Sequence, residues 1–119
     1  MQNLILELKS LGVNTDEALD RFFGKQTLYE DMLKTLPAAV RELEVLKQLE
    51  NGDVKTAEIS VHRLKGSMGN LSILPLYNAY SDIAVLMHEE NLEEAKKLLQ
   101  SILPMQRQII GCIEKHLQD

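Results

Sequence analysis

The sequence has few aromatic residues and almost no cysteine, and both shortages restrict the fold. There is no tryptophan, and aromatic residues make up only 4% of the 119 residues, so aliphatic side chains and methionine must fill the core. Such side chains suit helices packed on helices better than a β-sandwich. The single cysteine, Cys112, excludes an internal disulfide bond. Since the first residues also do not resemble a secretory signal, we expect a reducing, cytoplasmic location.

The chain also lacks an excess of positive charge and any long apolar run. Its net charge is −5, from 13 basic and 18 acidic residues. Nucleic acids and anionic membranes bind basic surfaces, so we expect neither as a partner. No apolar run approaches the roughly 18 residues that would span a bilayer. The length and the 45% content of hydrophobic residues predict one soluble domain over residues 1–119.

Helical periodicity is what the sequence does contain, in segments 26–49, 53–71, 75–89 and 91–117. In three of them apolar residues alternate at spacings of three and four, which gives each helix one buried stripe. In the second segment the stripe consists of Val54, Ala57, Val61, Leu64, Met68 and Leu71. Short connections force neighbouring helices to run antiparallel. We therefore predict an all-α fold, an antiparallel up-down four-helix bundle over residues 26–117.

Residues 1–24 predict a short N-terminal helical extension that caps one end of the bundle. Asn14 is a suitable N-cap for a short helix that Gly24 ends. The apolar pattern from Leu4 to Leu11 indicates a further helical turn or two.

Two prolines, Pro37 and Pro104, lie inside periodic segments. Each removes a backbone donor and conflicts sterically with the carbonyl four residues earlier. Because the apolar stripe continues through both, we expect kinks, with breaks as the alternative.

The most informative stretch places His62, Lys65 and Gly66 in the second segment, at spacings of three and four residues. On a helical wheel His62 lies about 130° from the centre of the apolar stripe, which predicts a solvent-facing imidazole in mid-helix. Such an imidazole is largely neutral at cellular pH and therefore nucleophilic. Lys65 would neutralise the charge of phosphoryl oxygens, and Ser67 would donate a further hydrogen bond. This combination suits a protein that carries a phosphoryl group.

Gly66 and Gly69 both fall on the outer side of this helix, where each costs roughly 1 kcal/mol relative to alanine. We interpret them as clearance, which would let the active site of another protein approach the imidazole. The alternative is that a glycine eases contact with a neighbouring helix.

An outward-facing aliphatic residue, Ile59, precedes His62 by one turn, and we predict a partner-binding face around it. An apolar centre with a polar rim is typical of transient interfaces. The other expected members of this face are Glu58, Arg63, Gly69 and Asn70.

The run from His62 to Ser67, HRLKGS, resembles the motif H-x-L-K-G-[SA] of the histidine-containing phosphotransfer (HPt) family. Residues 12–22 resemble the short helix before that family's bundle, and residues 24–29 resemble the entry to its first long helix. The resemblance implies a four-helix bundle with a phosphohistidine at His62. It implies exchange with the aspartate of response-regulator receiver domains, and a hybrid sensor histidine kinase as a further partner.

The same resemblance implies a phosphocarrier without its own nucleotide site, not a turnover enzyme. No cofactor is expected on this chain, Mg²⁺ is expected on the partner receiver domain, and we expect a monomer.

Three positions depart from the family pattern. Met68 replaces a small residue, and Ser72 replaces a glycine that suits a left-handed helix end better. The family often places a polar side chain of the next helix beside the histidine, where this chain has Ala84. The candidate substitutes are Ser81, Asp82 and His88.

Two other functions remain open. One is a kinase-attached phosphotransfer domain that an ATP-binding domain phosphorylates directly. The other is a helical adaptor that binds receiver domains without phosphotransfer.

We predict no metal site, because the other histidines, His88 and His116, are dispersed and lack ligand partners at metal spacing. Cys112 lies on an apolar stripe and is expected in the core.

Overall fold

The computed structural model describes residues 2–117, with side chains from residue 4 onwards. Over this range the chain is helical and has no strand, which confirms the all-α class. None of the described helices is both long and apolar enough to cross a membrane. In chain order the helices are α1 (Gln2–Ser10), α2 (Thr15–Arg21), α3 (Gln26–Leu33), α4 (Leu36–Glu42), α5 (Val45–Glu50), α6 (Val54–Asn70), α7 (Leu74–His88) and α8 (Leu92–Leu117).

The three longest helices, α6, α7 and α8, pack on one another in chain order. Gly69 near the end of α6 lies against Tyr77 near the start of α7. His62 in the middle of α6 shares a pocket with His88 at the end of α7. Because these pairs progress in opposite directions along the two helices, α6 and α7 are antiparallel.

The buried face of α6 follows its predicted stripe. The predicted stripe of α6 is buried from Ala57 to Leu71, and Cys112 of α8 is also buried. A polar pair interrupts the apolar contact between α7 and α8, where the buried Tyr80 hydroxyl donates a hydrogen bond to Gln106. Burial raises the pKa of Tyr80 to about 12.

The prediction of one long helix over residues 26–49 is wrong, because α3, α4 and α5 occupy this range. Pro37 lies in the first turn of α4, so the chain breaks there instead of bending. A proline at this position has no N–H to donate, and its ring would collide with the Leu33 carbonyl in a continuous helix. In contrast, α8 continues through Pro104 without a break.

A second break, at Leu43 and Glu44, involves neither proline nor glycine. These residues leave helical geometry with ψ angles of 72° and 76°. Spacings of three and four predict a stripe in this segment that consists of Tyr29, Met32, Leu36, Ala39, Leu43 and Leu46. After the break Val45 and Leu49 are buried, although the predicted stripe does not include them. Met32, which the stripe did include, is 40% exposed.

Helices α1 and α2 cover the end of the molecule where α6 ends and α7 begins. The Asn14 N–H donates to the Ser72 carbonyl at 2.9 Å. Arg21 of α2 donates to the Asn70 carbonyl, also at 2.9 Å. Helix α1 packs against α8.

The turn from α6 to α7 depends on a left-handed residue, Ser72, with a φ of +56°. The Ser72 N–H donates to the Gly69 carbonyl at 3.1 Å, and the Ile73 N–H donates to the Met68 carbonyl at 2.9 Å. These two bonds define a Schellman helix end, which usually has glycine at the left-handed position.

The Ser72 side chain is fully buried and connects α2 to the turn. Its hydroxyl donates to Glu17 at 2.7 Å and accepts from Arg21 at 2.8 Å. The hydrogen bond from Ser72 lowers the pKa of Glu17, and Arg21 lowers it further. These contacts offset a left-handed backbone conformation that costs roughly 1–2 kcal/mol in a residue with a Cβ atom.

We predict that Ser72→Ala lowers the free energy of unfolding by about 1–2 kcal/mol, because it keeps the strain and loses both hydrogen bonds. Ser72→Gly also loses the bonds but relieves the strain, so it should be about 1 kcal/mol more stable than Ser72→Ala. Urea unfolding followed by circular dichroism measures both variants. Equal stabilities would contradict the strain assigned to this turn.

Candidate functional site

The candidate site is the outer face of α6 and its border with α7. Asp53 caps the helix by accepting a hydrogen bond of 3.3 Å from the Thr56 N–H. The apolar residues that follow anchor the helix in the core, and Val61 and Leu64 on either side of the histidine are buried. This anchoring leaves the imidazole of His62 exposed in mid-helix, as the wheel predicts.

A pocket of about 230 Å³ adjoins the imidazole between α6 and α7. Of the α7 residues considered from the sequence, Ala84 and His88 line this pocket. Ser81 instead donates a hydrogen bond of 2.8 Å to the Tyr77 carbonyl within its own helix. His88 is therefore the polar α7 side chain that the structure brings to this pocket. The other lining residues are Glu58, Val61, His62 and Met87.

Lys65 lies on the same border of α6, about 60° around the helix from His62. Its ammonium nitrogen is 6.0 Å from the centroid of the Tyr77 ring, a cation–π contact. No carboxylate in the described part of the chain forms an ion pair with it. Its charge is therefore available to an anion placed beside the imidazole.

The two glycines of α6 differ in their surroundings. A Cβ atom added at Gly66 would meet nothing within 4 Å, so the space beside His62 is open. A Cβ atom added at Gly69 would lie 2.9 Å from the Tyr77 ring. The clearance interpretation is therefore wrong for Gly69, whose missing side chain makes room for α7. The wheel misplaced it because a wheel contains no neighbouring helix.

Ser67 is not close to His62. Five residues of α-helix separate the two by about 140° around the axis and about 7.5 Å along it. Ser67 is half-buried on the side of α6 away from the imidazole. The structure thus gives no support to the predicted hydrogen bond from Ser67 to a phosphoryl group.

The remaining residues of the predicted partner-binding face lie in solvent. Ile59 is 60% exposed, and the polar residues around it, Glu58, Arg63 and Asn70, are exposed as well. Val85 of α7, which the sequence analysis did not single out, is a second exposed apolar side chain, at 55%. It directly follows Ala84, which lines the histidine pocket.

A second cluster of chemically active side chains lies between α1 and α8. The ligand atoms of Glu7, Cys112 and His116 all lie within 4.8 Å of one another. The statement that His116 lacks ligand partners at metal spacing is therefore wrong. The four-residue spacing of Cys112 and His116 on one helix could have indicated a pair of ligands from the sequence. The position of Glu7, on a different helix, could not be predicted from the sequence.

No protein-family model, curated protein or solved structure matches this chain. What the outer face of α6 does must therefore be inferred from its own geometry and chemistry.

We predict opposite effects of alanine at the two glycines of α6. Gly66→Ala should raise the free energy of unfolding by about 1 kcal/mol, because alanine favours the helix and meets open space. Gly69→Ala forces the Tyr77 ring to move, and overpacking of this kind costs about 1–3 kcal/mol. Since alanine favours the helix equally at both positions, urea unfolding should place Gly69→Ala below Gly66→Ala by the overpacking cost of about 1–3 kcal/mol. A more stable Gly69→Ala would contradict the contact with Tyr77.

Proposed function

We propose that this chain is a phosphocarrier of the HPt type, which exchanges a phosphoryl group between His62 and the aspartates of receiver domains. One observation carries the proposal. The exposed imidazole of His62 is followed three residues later by Lys65, which pairs with no carboxylate among residues 2–117, and Gly66 leaves open space beside it. Gly66 is unfavourable in the interior of a helix. No neighbouring side chain requires a glycine there, because a Cβ atom at this position would meet nothing within 4 Å. Close approach of another molecule to the imidazole would explain it.

The chemistry follows from this arrangement. An unprotonated ring nitrogen of His62 attacks the phosphorus of the partner's aspartyl phosphate. The N–P bond forms while the bond from phosphorus to the carboxylate oxygen breaks, and the carboxylate leaves with the bonding electrons. Lys65 reaches the phosphoryl oxygens and stabilises their charge. Mg²⁺ bound to the receiver domain would neutralise further charge.

We also infer that the helices form an antiparallel four-helix arrangement in which short helices replace the first long one. Helix α5 packs against both α6 and α8, and α4 packs against the same two helices. These contacts are those that a fourth long helix of a bundle would make.

For a phosphocarrier of this type we infer a cytoplasmic location, because a single cysteine is typical of proteins in a reducing compartment.

Docking would centre on Ile59 and the open surface at Gly66. When a receiver domain covers Ile59, this apolar side chain excludes water from the surroundings of the imidazole. The polar residues Glu58, Arg63 and Asn70 remain at the rim of the interface. Water exclusion matters because a phosphohistidine exposed to solvent can be lost to hydrolysis.

We predict that His62→Gln abolishes phosphorylation of this chain by a phosphorylated receiver domain. The side chain is exposed, so helicity and the unfolding midpoint should change little. Acid-labile label on the chain is the measurement. His116→Gln, which changes a histidine at the contact between α1 and α8, is the matched control and should retain the label. Label that persisted in His62→Gln would remove His62 from the mechanism.

We predict that Lys65→Ala slows phosphoryl transfer by roughly 5–150-fold, because one such electrostatic contact is worth about 1–3 kcal/mol in the transition state. Lys65→Arg keeps the charge and should recover most of the rate. Lys55→Ala, which removes an exposed lysine nearly three turns earlier on α6, is the control. Rapid-quench transfer rates compare the variants, and equal rates for the two alanine variants would show that Lys65 is only a surface charge.

The same labelling experiment distinguishes the other two functions. Binding of a receiver domain without label would favour the adaptor. Labelling by an ATP-binding kinase domain, but not by a phosphorylated receiver, would favour the kinase-attached phosphotransfer domain.

A further inference from the structure

The contact between α1 and α8 brings together three side chains of different chemistry. Cys112 and His116 lie four residues apart, so they share one face of α8. Glu7 of α1 faces them, with its Oε1 atom 2.9 Å from the His116 Nε2 atom. The thiolate, imidazole and carboxylate groups that these residues supply are the three ligand types of protein zinc sites.

We propose that Glu7, Cys112 and His116 form a zinc-binding site that fastens α1 to α8. The proposal is independent of phosphotransfer at His62. Their potential ligand atoms lie within 4.8 Å of one another. Zinc bonds of 2.0–2.3 Å in a tetrahedron require ligand atoms about 3.3–3.8 Å apart, so side-chain adjustments of about 1 Å complete the site.

The chemistry of the donors favours zinc over other divalent cations. Mg²⁺ and Ca²⁺ prefer sites made of oxygen atoms, and a buried sulfur ligand disfavours both. Zinc accepts sulfur, nitrogen and oxygen together. Three protein ligands leave one tetrahedral position, which a water molecule would occupy.

Burial decreases across the cluster from sulfur to carboxylate. Cys112 is 4% exposed, while the side chains of His116 and Glu7 are 17% and 40% exposed. The sulfur thus lies in the core and the carboxylate at the surface. The metal would enter from the Glu7 side, where the water ligand also faces solvent.

Zinc would displace one positive group that already contacts this cluster, the ammonium of Lys115. Lys115 holds the Glu7 carboxylate at 2.9 Å, but its side chain is 64% exposed and free to move into solvent. Hydrogen bonds from His116 and Lys115 lower the pKa of Glu7 to about 2, so the carboxylate is already charged. On binding, the Cys112 thiol releases its proton to solvent, and the His116 ring carries its remaining proton on Nδ1.

The competing interpretation is an ion pair alone, in which Glu7 joins the two helices through Lys115 and His116. Both interpretations predict that Glu7 stabilises the contact between α1 and α8. Only the zinc site requires the sulfur, and only the zinc site is in competition with Lys115.

The test titrates the full metal-free chain, kept reduced with a phosphine, with Zn²⁺ against a chromophoric chelator, and with Co²⁺ as a spectroscopic probe. We expect one Zn²⁺ per chain and a higher unfolding midpoint with the metal bound. We expect Co²⁺ to give the visible bands of a tetrahedral site and a near-ultraviolet charge-transfer band from the thiolate. Failure to bind Zn²⁺ at one per chain would overturn the proposal.

Variants assign the ligands. Glu7→Gln, Cys112→Ser and His116→Gln should each weaken Zn²⁺ binding by at least about tenfold, since even residues that only support metal ligands contribute this much. Cys112→Ser should also remove the charge-transfer band, and His88→Gln is the matched histidine control. Because Cys112 is buried, the surface variant Glu7→Gln keeps the test valid if Cys112→Ser unfolds. Unchanged binding in both Glu7→Gln and His116→Gln would contradict the site.

Lys115→Met separates the zinc site from the ion pair. Removing the competing ammonium should tighten Zn²⁺ binding several-fold, while it lowers the unfolding midpoint of the metal-free protein. If Lys115→Met lowers that midpoint and leaves Zn²⁺ binding absent, the cluster is an ion pair only and the proposal fails.

Discussion

The left-handed turn at Ser72 is the constraint on which the candidate site depends. It ends α6 after Asn70 and begins α7 at Leu74, so it sets the register in which the two helices pack. That register places Tyr77 over Gly69 and brings His88 to the pocket beside His62. A different geometry at this turn would shift α7 along α6 and change which α7 residues border the imidazole.

Contacts from the N-terminal half of the chain hold this turn in place. The buried Tyr29 hydroxyl donates to the Leu71 carbonyl at 3.0 Å, and Arg21 donates to Ser72 from α2. Burial raises the pKa of Tyr29 well above its ordinary value, so this donor keeps its proton. The N-terminal helices therefore act on the site indirectly, because they determine where α7 lies.

At the Lys65 side of the site the interactions are weaker. An exposed cation–π contact such as that with Tyr77 is worth about 0.5–1 kcal/mol, whereas a hydrogen bond to a charged group contributes about 1.5–3 kcal/mol. A phosphoryl group at His62 would therefore draw Lys65 away from the ring.

The sequence predicted most reliably those features that depend on a single helix. The stripe of α6 and the exposure of His62 follow from periodicity alone. Features that depend on neighbouring helices were not predictable in this way. The break at Leu43 involves no proline or glycine that would signal it in the sequence. It occurs because it allows Val45 and Leu49 to reach a core that other helices form. The role of Gly69 depends on an aromatic ring of α7. The Glu7 cluster joins α1 to the last turns of α8, and helical periodicity carries no information about such a distant pair.

Two residues of the α6 region oppose local backbone preference, and what surrounds each one indicates its role. Ser72 adopts a conformation that suits glycine, but the two hydrogen bonds of its buried side chain offset the cost within the fold. Gly66 weakens the helix by roughly 1 kcal/mol, and no contact within the chain offsets that cost, because its missing Cβ atom would meet only open space. Contacts within the fold therefore account for the strained residue Ser72. No contact within the described part of the chain accounts for a glycine at position 66, beside an exposed imidazole. A molecule that approaches His62 from outside would account for it.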